Sequence, residues 1–179
     1  MMERTIYLVR HCKAEGQAPD AELTDEGKMQ AERLVHFFES REIRHIISSP
    51  FTRAINSIES LADHLGLKIQ IDDRLAERTL STEDLPDWME RLEESFSDQD
   101  LKLAGGESAR EAANRGEEVL SASSDKTVLV THGNLMGLLL KRIDESYGFE
   151  EWKKLSNPDV YEIKATEENT HATRVWEEI

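Results

Sequence analysis

The stretch TIYLVRHC, Thr5 to Cys12, decides the fold, because a β-rich run ends directly in an arginine and a histidine. A second stretch of the same design, TVLVTHGN from Thr127 to Asn134, places His132 directly after its own β-rich run. Two more β-rich runs lie at His45 to Ser48 and Lys68 to Ile71, and helical periodicity fills several of the segments between runs. This alternation predicts an α/β fold.

Two helices are predicted among these strands. The first spans Thr24 to Arg41 and begins with Thr24 as its N-terminal cap. The second follows the strand His45 to Ser48. We expect Ser49 to cap it, Pro50 to occupy its first position and Gly66 to end it.

The segment Ser81 to Ser124 has little strand character and contains two helical stretches, Asp87 to Phe96 and Glu107 to Ala122. It predicts a helical excursion over the sheet, at about residues 81–124. The polar turn TEENT then separates two strand-like runs, Asp159 to Ala165 and His171 to Glu177, which predicts a C-terminal hairpin. We expect residues 1–179 to form a single domain.

The charge balance excludes several classes of partner. Lysine and arginine number 22 against 37 acidic residues, a net charge of −15, which opposes sequence-independent binding to nucleic acid or an anionic membrane.

Cys12 is the only cysteine, so an intrachain disulfide and a two-cysteine zinc site are excluded, and a reducing, cytoplasmic location is expected. The apolar runs are too short for a signal peptide or a membrane span. The sequence indicates no particular oligomeric state.

Four side chains point to a phosphate pocket. His11 and His132 both follow strands directly, and the carboxyl ends of strands are where open α/β sheets bind ligands. Arg53 lies in the first turn of the second helix, where a cation is unfavourable unless an anion lies between it and the helix N-terminus. With Arg10, these residues form a set that suits a phosphate group.

Two rival chemistries fit the same residues less well. His11-Cys12 resembles the start of a cysteine phosphatase loop, but no arginine follows Cys12 closely enough to close such a loop. A metal site made of two histidines and a carboxylate would need short ligand spacings that the sequence lacks, and the neighbouring arginines would repel the ion. We therefore expect neither a metal nor another cofactor.

The segment VRHC resembles the VRHG signature of the histidine phosphatase superfamily, also called the phosphoglycerate mutase-like family. Five further segments resemble that family in the expected order: LTDEGKMQA at 23–31, SSPFTRA at 48–54, RLAER at 74–78, GGES at 105–108 and VTHGN at 130–134. The resemblance implies a three-layer α/β/α sandwich with a central, mostly parallel sheet. The GGES segment also fits a helix-capping box formed by Ser108 and Glu111.

The resemblance also implies roles for individual residues. His11 would be the nucleophile that becomes phosphohistidine, Glu77 the proton donor, and Arg10, Arg53 and His132 the groups that hold the phosphoryl oxygens. Cations beside His11 disfavour its imidazolium form, so we expect a neutral, nucleophilic ring. The preorganised cations would stabilise the transferring phosphoryl group without a metal ion.

Two departures from the family pattern affect substrate binding. Cys12 stands where glycine is usual, and the family's substrate-ordering loop is replaced by Lys13 to Gln17. Cys12 is expected to be buried and inert, with an oxidation-sensitive thiolate as the alternative. The expected substrate-binding residues are Arg10, Arg53, His132, Gly133, Cys12 and Gln17, with Lys13 as an alternative to Gln17.

The function that the sequence favours is a metal-independent phosphatase acting on a small phosphomonoester. A phosphoglycerate mutase-type transferase is the main alternative, because Arg78 after Glu77 is typical of the mutase form. A phosphohistidine or phosphoprotein phosphatase and a catalytically silent phosphate-binding module are further alternatives. The substrate itself is not encoded in any pattern that we can interpret.

Overall fold

A computed structural model describes residues 3–177, and within them six strands form one sheet. The strands are β1 Arg4–Arg10, β2 His45–Ser48, β3 Ile69–Ile71, β4 Thr127–Thr131, β5 Asp159–Ala165 and β6 Thr170–Arg174. Their order across the sheet is β3-β2-β4-β1-β5-β6. The first four strands of that order pair in parallel, whereas β5 and β6 are antiparallel additions at one side. The predicted α/β class and the mostly parallel sheet are confirmed.

The helices are α1 Asp25–Phe38, α2 Thr52–Leu65, α3 Trp88–Ser97, α4 Ala109–Ala122, α5 Gly133–Ile143 and α6 Phe149–Lys153, and a short 3-10 helix spans Asp73–Leu75. Successive residues of β1 point to opposite faces of the sheet. Ile6 and Leu8 join a buried cluster with α3, α4 and α5, whereas Tyr7 and Val9 join a second one with α1 and α2. Helices therefore cover both faces, which confirms the three-layer α/β/α sandwich.

The first predicted helix begins as expected and the second does not. The Thr24 hydroxyl accepts a hydrogen bond from the Gly27 N–H at 2.9 Å, which caps α1. Helix α2 starts at Thr52, later than predicted, and no described residue caps its N-terminus with a side chain. The expectation that Ser49 is the N-cap of this helix is wrong, because the helix begins later and its N-cap is Phe51. The Ser49 hydroxyl accepts from the Phe51 N–H at 3.2 Å and lies 2.8 Å from His132 Nε2. Gly66 ends α2 in the left-handed conformation, with φ of 69°, as predicted.

Both helices of the 81–124 segment are present, as α3 and α4. The capping box at the start of α4 is formed, since Ser108 and Glu111 exchange side-chain to backbone hydrogen bonds of 3.0 Å. The C-terminal hairpin is confirmed as β5 and β6, although β6 ends at Arg174. Trp176 then turns inward and packs 5.6 Å from the ring of Phe37. Within residues 3–177, no helix combines the length and the apolar character needed to cross a membrane.

Candidate active site

The carboxyl ends of the three central parallel strands meet at one edge of the sheet. Strand β1 is followed by His11, β2 by Ser49 and β4 by His132. The parallel register places Arg10 opposite Thr131, so the two histidines leave the sheet side by side. Their ring centroids are 5.0 Å apart. The two histidines that the sequence places at separate strand ends thus lie together.

The surroundings of His11 define which ring nitrogen carries hydrogen. Its Nδ1 lies 2.7 Å from the carbonyl oxygen of Cys12, and a carbonyl can only accept, so Nδ1 is the protonated nitrogen. The Arg53 Nε–H donates to Nε2 at 3.2 Å, so Nε2 is unprotonated and its electron pair accepts this hydrogen bond. Burial lowers the pKa of His11 to about 3, and the charges of Arg53 and Arg10 act in the same direction. The ring is neutral as expected, but burial contributes more than the flanking cations.

Arg53 is held by the loop that follows β1. It is only 2% exposed, and its Nη1 donates to the carbonyl oxygens of Gln17 at 3.2 Å and Ala18 at 2.9 Å. Gln17 therefore contributes its backbone carbonyl to the site, through Arg53. The Gln17 residue itself is exposed. The two carbonyl contacts at Nη1 and the contact of Nε with His11 together fix the position of the guanidinium.

Arg10 lies against the start of α5. Its Nη1 donates to the carbonyl oxygen of Leu155 at 3.1 Å, while its buried Nε has no hydrogen-bond partner within residues 3–177. A Cβ atom added at Gly133 would lie 2.9 Å from the guanidinium carbon of Arg10. Position 133 therefore requires glycine if Arg10 is to pack there.

His132 is entirely buried beside His11. Its Nε2 lies 2.8 Å from the Ser49 Oγ, whereas its Nδ1 has no hydrogen-bond partner among the described residues. Burial, followed by the neighbouring His11, Arg53 and Arg10, lowers the pKa of His132 well below its ordinary value. The ring is neutral, and one of its nitrogens is available to a ligand.

Glu77 lies at the N-terminus of α5, next to this group. Its carboxylate accepts hydrogen bonds from the backbone N–H of Asn134 at 3.0 Å and of Leu135 at 2.9 Å. Burial lowers the pKa of both Arg10 and Arg53, and the Glu77 carboxylate partly opposes that shift in each case. Glu77 is therefore close to both cations. No three His, Cys, Asp or Glu side chains within residues 3–177 are grouped so as to hold a metal ion.

The side chain of Cys12 belongs to the core, although its carbonyl oxygen contacts His11. Its side chain is fully buried in the cluster between the sheet and helices α1 and α2, and its N–H donates to the Ser57 hydroxyl at 2.8 Å. Burial raises the pKa of the thiol to about 12. Burial and the raised pKa favour the inert thiol over the thiolate alternative, and a substrate contact through this side chain stays a prediction.

Arg78 and Lys13, two other cations considered in the sequence analysis, both contact groups of the protein itself. The guanidinium of Arg78 donates to the Ser95 hydroxyl at 2.8 Å and twice to the Glu107 carbonyl at 3.2 Å. The Lys13 ammonium pairs with the Glu26 carboxylate at 3.0 Å. Arg78 thus ties the segment after Glu77 to helices α3 and α4 instead of presenting a charge to a ligand.

Sequence reasoning missed three polar residues at this edge of the sheet. Ser49 contacts His132, the Asn157 amide donates to the carbonyl oxygen of His11 at 3.0 Å, and Asn134 has a buried amide nitrogen with no described partner. The pair Ser49-Pro50 stands out in the sequence, but such a pair is typical of a helix start and therefore does not indicate a contact with a histidine. Asn134 follows Gly133 in the VTHGN segment, and the sequence pattern assigns it no role of its own.

Comparison with known proteins supports the assignment of the fold and the family. The sequence pattern of the histidine phosphatase superfamily (branch 1) matches residues 6–178. The probable phosphoglycerate mutase GpmB of Proteus mirabilis is 30% identical over 162 residues, which cover 77% of this chain and 74% of that protein. The protein of the same name from Cronobacter sakazakii is 29% identical over 160 residues, with the same two shares.

Solved structures extend the similarity over nearly the whole chain. A mycobacterial glucosyl-3-phosphoglycerate phosphatase superposes with a TM-score of 0.74 at 23% identity, covering 97% of each chain. The phosphoglycerate mutase of Bacillus anthracis superposes with a TM-score of 0.75 at 17% identity, covering 97% of this chain and 92% of that one. These structures establish a phosphoglycerate mutase-like fold. From its sequence pattern over residues 6–178, the chain belongs to branch 1 of the histidine phosphatase superfamily.

Proposed function

We propose that this protein is a metal-independent phosphatase that hydrolyses small phosphomonoesters through a phosphohistidine intermediate on His11. The observation that carries the proposal is the unprotonated Nε2 of His11, whose electron pair accepts a hydrogen bond from the guanidinium of Arg53. Buried nitrogens without described partners on Arg10 and His132 supply further donors around it. A neutral nucleophile among preorganised cationic donors suits phosphoryl transfer.

In the first half-reaction, the phosphoryl oxygens bind to Arg10, Arg53 and His132. The Arg53 Nε–H passes from His11 Nε2 to a phosphoryl oxygen, so that the electron pair of Nε2 faces the phosphorus. A bond forms between Nε2 and phosphorus as the bond between phosphorus and the ester oxygen breaks. Glu77 in its acid form gives a proton to the departing oxygen, so that a neutral alcohol leaves. The Nδ1–H of His11 keeps its hydrogen bond to the Cys12 carbonyl, which stabilises the positive charge that the ring acquires.

In the second half-reaction, water replaces the alcohol. The Glu77 carboxylate takes a proton from the water as its oxygen attacks phosphorus, and the bond between Nε2 and phosphorus breaks. Inorganic phosphate leaves, His11 returns to its neutral form, and Glu77 is again protonated for the next cycle. One carboxyl group therefore serves both half-reactions.

Phosphoglycerate mutase-type transfer is the second candidate, and the names of the Proteus and Cronobacter relatives favour it. The contacts of Arg78 favour hydrolysis. This arginine is the sequence feature that suggests a mutase, yet its guanidinium is used by Ser95 and Glu107. It therefore does not offer a charge for the carboxylate of a phosphoglycerate.

The test is hydrolysis of p-nitrophenyl phosphate in EDTA by the native chain, by His11→Ala and by His171→Ala. His171 is exposed on β6 and serves as the matched control. We expect EDTA-resistant turnover in the native chain and in His171→Ala, and its loss in His11→Ala. A native chain that hydrolyses no ester but is phosphorylated by 2,3-bisphosphoglycerate would establish the mutase instead. Absence of both turnover and phosphohistidine would establish a silent binding module.

A further inference from the structure

We infer that Ser49 is a positioning residue that keeps His132 in its Nδ1–H tautomer, so that the ring presents an N–H donor to the phosphoryl group. The catalytic part of this inference rests on the proposed function. The tautomer itself follows from the hydrogen bonds that the Ser49 hydroxyl and the two ring nitrogens of His132 can make.

The Ser49 hydroxyl already accepts one hydrogen bond and needs an acceptor for its own proton. The Phe51 N–H donates to Ser49 Oγ at 3.2 Å. Within residues 3–177, the only acceptor that the hydroxyl reaches is His132 Nε2, at 2.8 Å. Ser49 is fully buried, and an unpaired buried hydroxyl is costly.

The hydrogen bonds of Ser49 determine which ring nitrogen of His132 carries the proton. Nε2 accepts from Ser49, and a neutral imidazole carries a single hydrogen, so that hydrogen lies on Nδ1. The low pKa of His132, caused mainly by its burial, keeps the ring neutral. In the other tautomer the Ser49 proton would lack an acceptor, and Nδ1 would turn an electron pair toward phosphoryl oxygens. Only the Nδ1–H form satisfies the serine and offers a donor to an anion.

The backbone holds Ser49 in place for this contact. Its N–H donates to the Val130 carbonyl at 2.9 Å, and its own carbonyl accepts from the Ser48 hydroxyl at 2.9 Å. Position 49 is thus fixed to β4 just before that strand reaches His132. This anchoring keeps the Ser49 hydroxyl beside His132, two residues before Phe51, the N-cap of α2.

The first experiment reads the tautomer directly. Two-dimensional ¹⁵N–¹H NMR on the full chain labelled with ¹⁵N-histidine distinguishes Nδ1–H from Nε2–H, and a His132→Gln variant identifies the His132 signals among the six histidines. We expect the Nδ1–H form in the native chain without ligand. Observation of the Nε2–H form would overturn the inference. This readout needs no turnover, so it stands or fails separately from the proposed phosphatase activity.

The second experiment compares Ser49→Ala, Ser49→Thr and Ser123→Ala. Ser123, at the C-terminal end of α4, is also buried and its hydroxyl donates to the Val119 carbonyl at 2.7 Å, which makes it the matched control. Ser49→Ala should show a mixture of His132 tautomers and a kcat lower by about tenfold to a hundredfold, since a donor to the transition state is lost in part of the molecules. Ser49→Thr, which keeps the hydroxyl, should restore the tautomer and most of kcat. Equal kcat values for Ser49→Ala and Ser123→Ala would contradict the positioning role.

Discussion

The side-chain amide of Asn157 donates a hydrogen bond of 3.0 Å to the carbonyl oxygen of His11, 146 residues away in the sequence. Two residues earlier in the same loop, the Leu155 carbonyl accepts a hydrogen bond from Arg10 at 3.1 Å. The loop before β5 therefore holds the backbone of the proposed nucleophile and the guanidinium beside it. A segment with no catalytic side chain of its own contributes to the alignment of both.

Asn157→Ala should lower kcat by about tenfold with a smaller change in KM, because the His11 carbonyl loses the donor that fixes it. Asn157→Asp should be more harmful, since its carboxylate would repel the same carbonyl. Steady-state kinetics on p-nitrophenyl phosphate provide the measurement. Asn169→Ala, in the exposed turn between β5 and β6, is the control. An unchanged kcat in Asn157→Ala would show that the contact is unimportant for catalysis.

Glu77→Gln should reduce the hydrolysis of an alkyl phosphate by about 10²-fold or more, because a poor leaving group depends on proton donation. The loss should be smaller for p-nitrophenyl phosphate, whose leaving group departs without a proton. The ratio of kcat/KM for the two substrates is the quantity to measure. Glu83→Gln, an exposed acid of the 81–124 segment, is the control. Equal losses on both substrates would rule out the role of Glu77 as proton donor.

Acidification should destabilise the fold through His11. Its pKa is about 3 in the folded chain against an ordinary value of 6.5, so between these values the unfolded chain binds a proton that the folded chain does not. The free energy of unfolding therefore falls as the pH falls through this window, by about 2 kcal/mol between pH 7 and pH 5 for one such group.

Urea denaturation at pH 7 and at pH 5 tests this relation. His11→Asn should lose less stability than the native chain over this interval, because it lacks the buried imidazole whose protonation is unfavourable in the folded state. His171→Asn, which removes an exposed histidine, should follow the native chain. The same loss in all three proteins would show that His11 is not protected from protonation.

Gly133→Ala should weaken phosphate binding, because its Cβ would lie 2.9 Å from the Arg10 guanidinium and displace it. We expect the inhibition constant of vanadate to rise by about tenfold or more, as a misplaced donor no longer contributes to oxyanion binding. Gly16→Ala is the control, since a Cβ there would have no atom within 4 Å. Equal vanadate inhibition of the two variants would contradict the packing argument.

Cys12 should resist iodoacetamide in the folded chain and react in urea, because the thiol is fully buried and its pKa is raised to about 12. Mass spectrometry of the alkylated protein measures this directly. Rapid labelling under native conditions would show that the thiol is reached from solvent.

The central strands were predictable because their signals are local. The runs before His11 and His132 are short, apolar and β-rich, and each stops at a polar residue, so the sequence shows both the strands and the positions where they end. Ser49 was misassigned because a Ser-Pro pair suits a helix start as well as a buried contact, and only the tertiary structure decides between them. Asn157 gave no signal, since its partner lies in a distant part of the chain.

The hydrogen bond between His11 Nδ1 and the Cys12 carbonyl joins two adjacent residues, and its acceptor belongs to the backbone. Every amino acid at position 12 would supply the same oxygen, so the orientation of the imidazole does not depend on the identity of that residue. The constraint on position 12 comes from the opposite side, where its side chain must fit the packed layer under α1 and α2. The cysteine side chain fits that space, and the backbone oxygen of residue 12 still binds His11. A chain with cysteine in place of the usual glycine therefore keeps the same orientation of His11.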